Sequence, residues 1–158
     1  MKANNNYELP LILVGLGLVY FNRKDLKSAA AMMLFPVINK ITSPFGNRVH
    51  PFTGNVQFHN GIDIAGKVGD KVKSPGDGIV TSIYKNDIGG NQLIIKHTNG
   101  YTTGYAHLNK IYVSIKEKIL KGEAIAEIGK TGRVTGPHLH FTLKDSSGHY
   151  LDPSKYLV

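Results

Sequence analysis

From Ile41 to the C-terminus, apolar and polar residues alternate in short runs that Gly, Pro, Asn or Asp interrupt every eight to twelve residues. That rhythm predicts strands and turns, not long helices. The clearest strands are Gly78–Tyr84, Gln92–His97, Tyr101–His107, Glu123–Ile128 and His138–Lys144, and Asn99-Gly100 predicts a tight hairpin turn before the third. Two stretches, 69–80 and 116–129, resemble each other, each reading as a strand, a glycine turn and a strand. They are either two ordinary hairpins or a diverged duplication. The expected class is all-β, mainly an antiparallel sheet or sandwich with little helix.

The first forty residues are patterned in blocks instead. Leu9 to Phe21 holds no charge and is bounded by Glu8 and by Arg23, Lys24 and Asp25. A short apolar helix is expected here, about 20 Å long against a hydrocarbon thickness of about 30 Å. The stretch therefore reads as an uncleaved membrane anchor through residues 9–21, as a signal peptide, or as a buried terminal helix. The signal reading is compromised because only Lys2 precedes the apolar core, and because Ala29-Ala30-Ala31 lies beyond a charged segment. A second apolar run, 28–38, is expected to extend the membrane contact or to form a short packing helix ending before Pro36. The expected division is an anchor-like segment with linker at 1–40 and a globular domain at 41–158.

Composition narrows the chemistry. With no cysteine among 158 residues, disulfides, thiolate nucleophiles and zinc ribbons are excluded, so any metal must be held by histidine and carboxylate. Seven histidines are present. The net charge of +8 is spread along the chain without a long run of like charge, which suits solvated surface lysine first; a basic surface of this kind also favours polyanions such as nucleic acid, anionic lipid head groups or acidic cell-wall polymers, and charge alone does not choose among them. No strand shows the aromatic face with clustered Arg that specific nucleic-acid binding needs.

His138 and His140 form an HxH pair on a predicted strand, where residues two apart face the same side about 7 Å apart. His59-Asn60-Gly61-Ile62-Asp63 is an HxxxD whose central Asn-Gly predicts a turn that folds Asp63 back toward His59. Asp63 sits between Ile62 and Ile64, so on a strand it points away from both, and a covered carboxylate needs a partner such as a metal ion. Two imidazoles and one carboxylate are the three-ligand set of a catalytic zinc site with a fourth position for water. His107 and the spare member of the HxH pair are then candidates for a base and an oxyanion donor; spacing alone leaves open which of the pair ligates. His50, His97 and His149 read as surface or packing residues.

These pieces together resemble the lysostaphin and LytM type of zinc endopeptidase, which cleaves peptide crosslinks in bacterial peptidoglycan. The resemblance covers roughly 41–156. It rests on Ser43-Pro44-Phe45-Gly46-Asn47-Arg48 with Pro51 and Gly54, on His59 to Asp63, on the hairpin Val72 to Gly78, on Tyr105-Ala106-His107-Leu108, and on Gly129 to Gly132 with Thr135 to Phe141. It implies that His59, Asp63 and His140 bind one zinc ion with a water. It also implies that His107 and His138 act on that water and on the developing oxyanion. Arg48 and Tyr105 are candidates for substrate contact or for support of the ligands. One departure is Thr142, where the family often has glutamate.

The implied function is zinc-dependent hydrolysis of peptide bonds in peptidoglycan, in the stem peptide or its crosslink. A membrane-associated enzyme acting on the periplasmic or extracellular face of the envelope would fit, as would a lysin in the membrane of a phage virion. The alternative from another class is an inert zinc-stabilised scaffold, or an activator of another cell-wall hydrolase.

Overall fold

The computed structural model describes residues 12–14, 17–19, 32–49 and 54–158. The chain divides into two compact units, Met1–Met32 and Met33–Val158. In the first, β1 (Ile12–Val14) pairs antiparallel with β2 (Gly17–Val19). The apolar helix expected over 9–21 is therefore not what its described residues form. Ile12, Val14 and Val19 are β-branched, and Gly15 and Gly17 in the sequence weaken a helix. Among the described residues no helix is long and apolar enough to cross a membrane. The Ala29-Ala30-Ala31 stretch lies outside the described residues, as does His50.

The second unit begins eight residues before the expected boundary, because Met33 is a core residue. Its side chain is buried, and its backbone forms a parallel bridge with Leu157. The backbone N–H groups of Lys73 and Ala65 donate to the Pro36 and Lys40 carbonyls, so residues 33–40 run along this unit as extended chain and not as a helix.

Its strands, in chain order, begin with β3 (Ile41–Ser43), β4 (Gly46–Val49), β5 (Val56–His59), β6 (Ile62–Ala65), β7 (Lys71–Lys73) and β8 (Gly78–Asn86). They continue with β9 (Gly90–His97), β10 (Thr102–Ile111), β11 (Lys118–Ile119), β12 (Ala124–Ile128), β13 (His138–Lys144) and β14 (Tyr150–Leu151). Ten of them form one antiparallel sheet whose main path runs β11-β8-β9-β10-β13-β6-β3. β12 bridges β10 to β7, β14 extends β13, and β4 and β5 form a separate hairpin. The all-β expectation and each of the five clearest strands are met, with β10 running on to Ile111.

The two similar stretches are not hairpins closed on themselves. β7 of the first pairs with β12 of the second, and β11 of the second pairs with β8 of the first. Each supplies the strand that the other lacks.

Alternation along the central strands separates a core face from a groove face. Ile62, Ile64, Leu139, Phe141 and Tyr105 are buried on the first, while Asp63, His138, His140 and Ala106 lie on the second. The Tyr105 and Phe141 rings pack at 5.4 Å between centroids, tilted by 57° to one another. Five such side chains, each contributing about 1.5–3 kcal/mol on burial, hold β6, β10 and β13 in register beneath the site.

Candidate metal centre and active site

The strand register places Asp63 directly opposite His140, and His140 directly opposite Ala106. β5 ends at His59, and the turn at Asn60-Gly61 reverses the chain so that Asp63 lies beside it. Gly61 permits this, since a Cβ there would overlap the Phe141 carbonyl oxygen. The turn expected from the HNGID segment is thus also the contact that presses it against β13.

Three donor atoms converge. His59 Nε2 lies 3.1 Å from Asp63 Oδ1 and 3.0 Å from His140 Nδ1, and His140 Nδ1 lies 2.8 Å from Asp63 Oδ1. Their outer nitrogens are already engaged: His59 Nδ1–H donates to the Pro44 carbonyl at 2.7 Å, and His140 Nε2–H donates to Asn60 Oδ1 at 3.2 Å. Both inner nitrogens therefore present lone pairs toward a carboxylate oxygen. Three acceptors at this separation repel one another unless a cation, or a proton on one imidazole, lies among them. The donor set and its fixed tautomers fit a single zinc ion, with His59, Asp63 and His140 as the metal group.

Burial works against the charge of Asp63, but a proton on the facing nitrogen of His140 or His59 would hydrogen-bond its carboxylate, and that bond with the field of the imidazolium outweighs burial and holds the carboxyl well below the usual range. Its second oxygen accepts from Arg48 Nη1 at 3.1 Å, and the same nitrogen donates to Ser43 Oγ at 2.6 Å. Arg48, expected to support the ligands or touch substrate, is thus brought to the site as a support for Asp63.

His107 reaches the groove through a bulge. Strict alternation from Tyr105 would turn it to the core, but the pairing of β10 with β9 shifts register between Tyr105 and Leu108. His107 takes the left-handed φ of 63° there, and both neighbours in the core, Tyr105 and Leu108, stay buried. Its ring lies 4.8 Å from that of His138 and 6.2 Å from that of His140. Burial pushes the imidazole down to about 4, more than the Thr131 carbonyl pulls it up, so it is neutral at pH 7. His107 Nδ1–H donates to Thr131 O at 2.9 Å and His138 Nδ1–H to Gly136 O at 3.0 Å, leaving both Nε2 atoms as acceptors. The pair opens onto a groove of about 740 Å³ that also contains His59, Asp63 and His140.

Tyr105 is not part of this group. Its ring is in the core and its hydroxyl bonds to Thr103 Oγ1 at 2.9 Å, a partner shared with His97 Nε2 at 2.7 Å. Tyr105 is expected to touch substrate or to support the ligands; its buried side chain packs in the core, and the bulge separates it from His107, its neighbour in the motif. His97 is a packing residue and His149 pairs with Asp145 on the surface, as expected. Sequence reasoning passed over Asn60, Pro44, Thr131 and Gly136, which fix the four imidazole tautomers. Of these only Asn60 carried a signal, as the residue beside His59.

A family model described as peptidase family M23 matches residues 57–153. The peptidoglycan DD-endopeptidase ShyA of Vibrio cholerae is 41% identical over 127 residues, which is 78% of this chain and 30% of that protein. The DD-carboxypeptidase/endopeptidase Mpg of Neisseria meningitidis is 41% identical over 105 residues, covering 66% and 24%. The chain thus spans about a quarter to a third of the length of these relatives. A zinc-containing peptidase from Vibrio cholerae superposes with a TM-score of 0.69 at 41% identity, covering 77% of this chain and 38% of that one. The catalytic domain of lysostaphin from Staphylococcus simulans gives 0.67 at 28% identity, covering 73% and 90%. With its HxxxD, bulged histidine and HxH assembled on one sheet face, the chain belongs to peptidase family M23.

Proposed function

We propose that the chain is a zinc-dependent endopeptidase that hydrolyses peptide bonds in bacterial peptidoglycan. The observation that carries the reading is the convergence of His59, Asp63 and His140, with His107 and His138 beside them at the head of an open groove. The name of ShyA, a peptidoglycan DD-endopeptidase, supports the same substrate, and that of Mpg, a DD-carboxypeptidase/endopeptidase, the same kind of reaction.

His59 Nε2, an oxygen of Asp63 and His140 Nδ1 would hold the metal. Bound zinc would polarise the scissile carbonyl and acidify a water to a pKa of about 7. His107, neutral and held by Thr131, takes the proton of the attacking water on Nε2. His138, its ring held by the Gly136 carbonyl, would donate to the oxygen that gains charge as the carbonyl is attacked when a proton from the solvent of the open groove occupies its Nε2. Arg48 keeps the Asp63 carboxylate charged and oriented.

A site acting on peptidoglycan belongs at the cell envelope. Attachment to a cellular or virion membrane through residues 9–21 is supported by the apolar run alone. Digestion of purified walls, with mass spectrometry of the new amino termini, tests the reading. Release of peptide amines that stops on chelation and returns with zinc is expected. Zinc bound at one equivalent without release from any wall chemistry would instead establish a scaffold or activator.

A further inference from the structure

The groove face of the sheet continues past the metal group in rows set by the strand register. Asp63, His140 and Ala106 form the first. Thr142, Gly104 and Ile94 form the second, and Lys144, Thr102 and Lys96 the third. Gly104 makes the second row a trough, since a Cβ there would run into Thr142 Oγ1. A cavity of about 140 Å³ occupies this stretch, bounded by Asn60 and His140 at one end and by Lys144 and Tyr150 at the other.

The trough is built for negative charge. Among the described residues lining it and the main groove, the one acid is Asp63, while Arg48, Arg133 and Lys144 are cations. Lys144 Nζ rests 4.4 Å from the centre of the Tyr150 ring, which fixes where its charge sits. Neither Lys144 nor Lys96 makes an ion pair among the described residues. The Gln92 amide lines both cavities, and its Nε2 is a buried donor without a partner. Thr102 and Thr142 add hydroxyls and no charge.

We infer that this trough is a carboxylate-binding subsite, with Lys144 as its anchor and Lys96 adding to its field. This rests on the reading of the site as a peptidoglycan peptidase. His140 and Lys144 are four residues apart on one strand face, about 13 Å. An extended peptide lying along β13 with its scissile bond at His140 therefore brings a carboxylate three or four residues away onto Lys144. Stem peptides carry free carboxylates, some of which are capped as primary amides, so the subsite discriminates between amidated and unamidated wall.

The test uses the full chain loaded with zinc and a crosslinked stem-peptide dimer prepared with its carboxylates free or amidated. The wild type is expected to cleave the free form with kcat/KM about tenfold higher, the scale of one hydrogen bond to a charged group. Lys144→Gln should lose that factor on the free form and nothing on the amidated one; Lys144→Arg should restore it, with zinc content equal in all three. Equal kinetics for Lys144→Gln and wild type on both substrates, or an equal loss on both, would overturn the subsite. If no form is cleaved, the peptidase reading fails. Fluorescence anisotropy of the same labelled peptides then decides the subsite: tighter binding of the free form that Lys144→Gln abolishes upholds it, and equal binding of both forms rejects it.

Discussion

Asn60 Oδ1 accepts the Nε2–H of His140 at 3.2 Å, so a residue from the turn after β5 dictates which ring nitrogen of His140 faces His59 and Asp63. Two segments eighty residues apart are thereby matched in chemistry as well as in position. Asn60→Ala should release the His140 tautomer and weaken zinc binding about 10- to 100-fold, the usual cost of losing such a partner. Competition against a chromogenic chelator measures it. Activity should recover at high zinc, which separates a positioning role from a catalytic one.

His138 and His140 occupy one strand face but should respond differently to truncation. His140→Ala should abolish stoichiometric zinc, whereas His138→Ala should keep it and lose about 10²–10⁴ in kcat/KM. Metal analysis of the two purified variants, alongside wall digestion, distinguishes them. Zinc at full occupancy in His140→Ala would sink the ligand assignment.

Gly61 is tolerant of nothing larger. Its missing Cβ is where the Phe141 carbonyl lies, so Gly61→Ala forces β6 away from β13 at the point where Asp63 meets His140. A loss of about 1–3 kcal/mol in stability is expected, as for overpacked interiors. Denaturant unfolding measures it, and zinc affinity should fall in parallel.

How much of this was legible beforehand depended on the range of the interaction. Asp63 opposite Ile62 and Ile64, and His138 beside His140, follow from a period of two, and both could be read from the chain. The approach of His59 to His140 spans 81 positions, so the chemistry of the donor set suggests that one of the HxH pair joins His59, and only the resemblance says which. The bulge at His107 leaves no mark in the residues themselves, so the motif alone does not show that Tyr105 turns into the core while His107 faces the groove. Arg48 is visible as a candidate in the chain, but its pairing with Asp63 is not, because the β4–β5 hairpin that carries it is a long-range placement.

His97 gives the domain a pH dependence independent of zinc. Burial lowers its pKa from the ordinary 6.5, although the Asp77 and Gly76 carbonyls that accept from Nδ1 oppose the shift. The unfolded chain therefore binds a proton that the folded one refuses. That contribution to stability is complete above pH about 6.5 and is lost as pH falls below it. Unfolding free energies between pH 7.5 and 5 should decline with acidity, and His97→Gln should flatten the decline in that window. Parallel curves for the two proteins would assign the effect to other groups.

The reciprocal pairing of β7 with β12 and of β8 with β11 sets the order in which the chain can be completed during synthesis. β7 lacks its strand partner until β12 has emerged, and His59 and Asp63 lack the third member of their group until His140 follows. Contacts of such separation close slowly and late. The three converging donor atoms are therefore brought together only when the penultimate strand arrives, and no piece of the chain that ends before His140 holds them all.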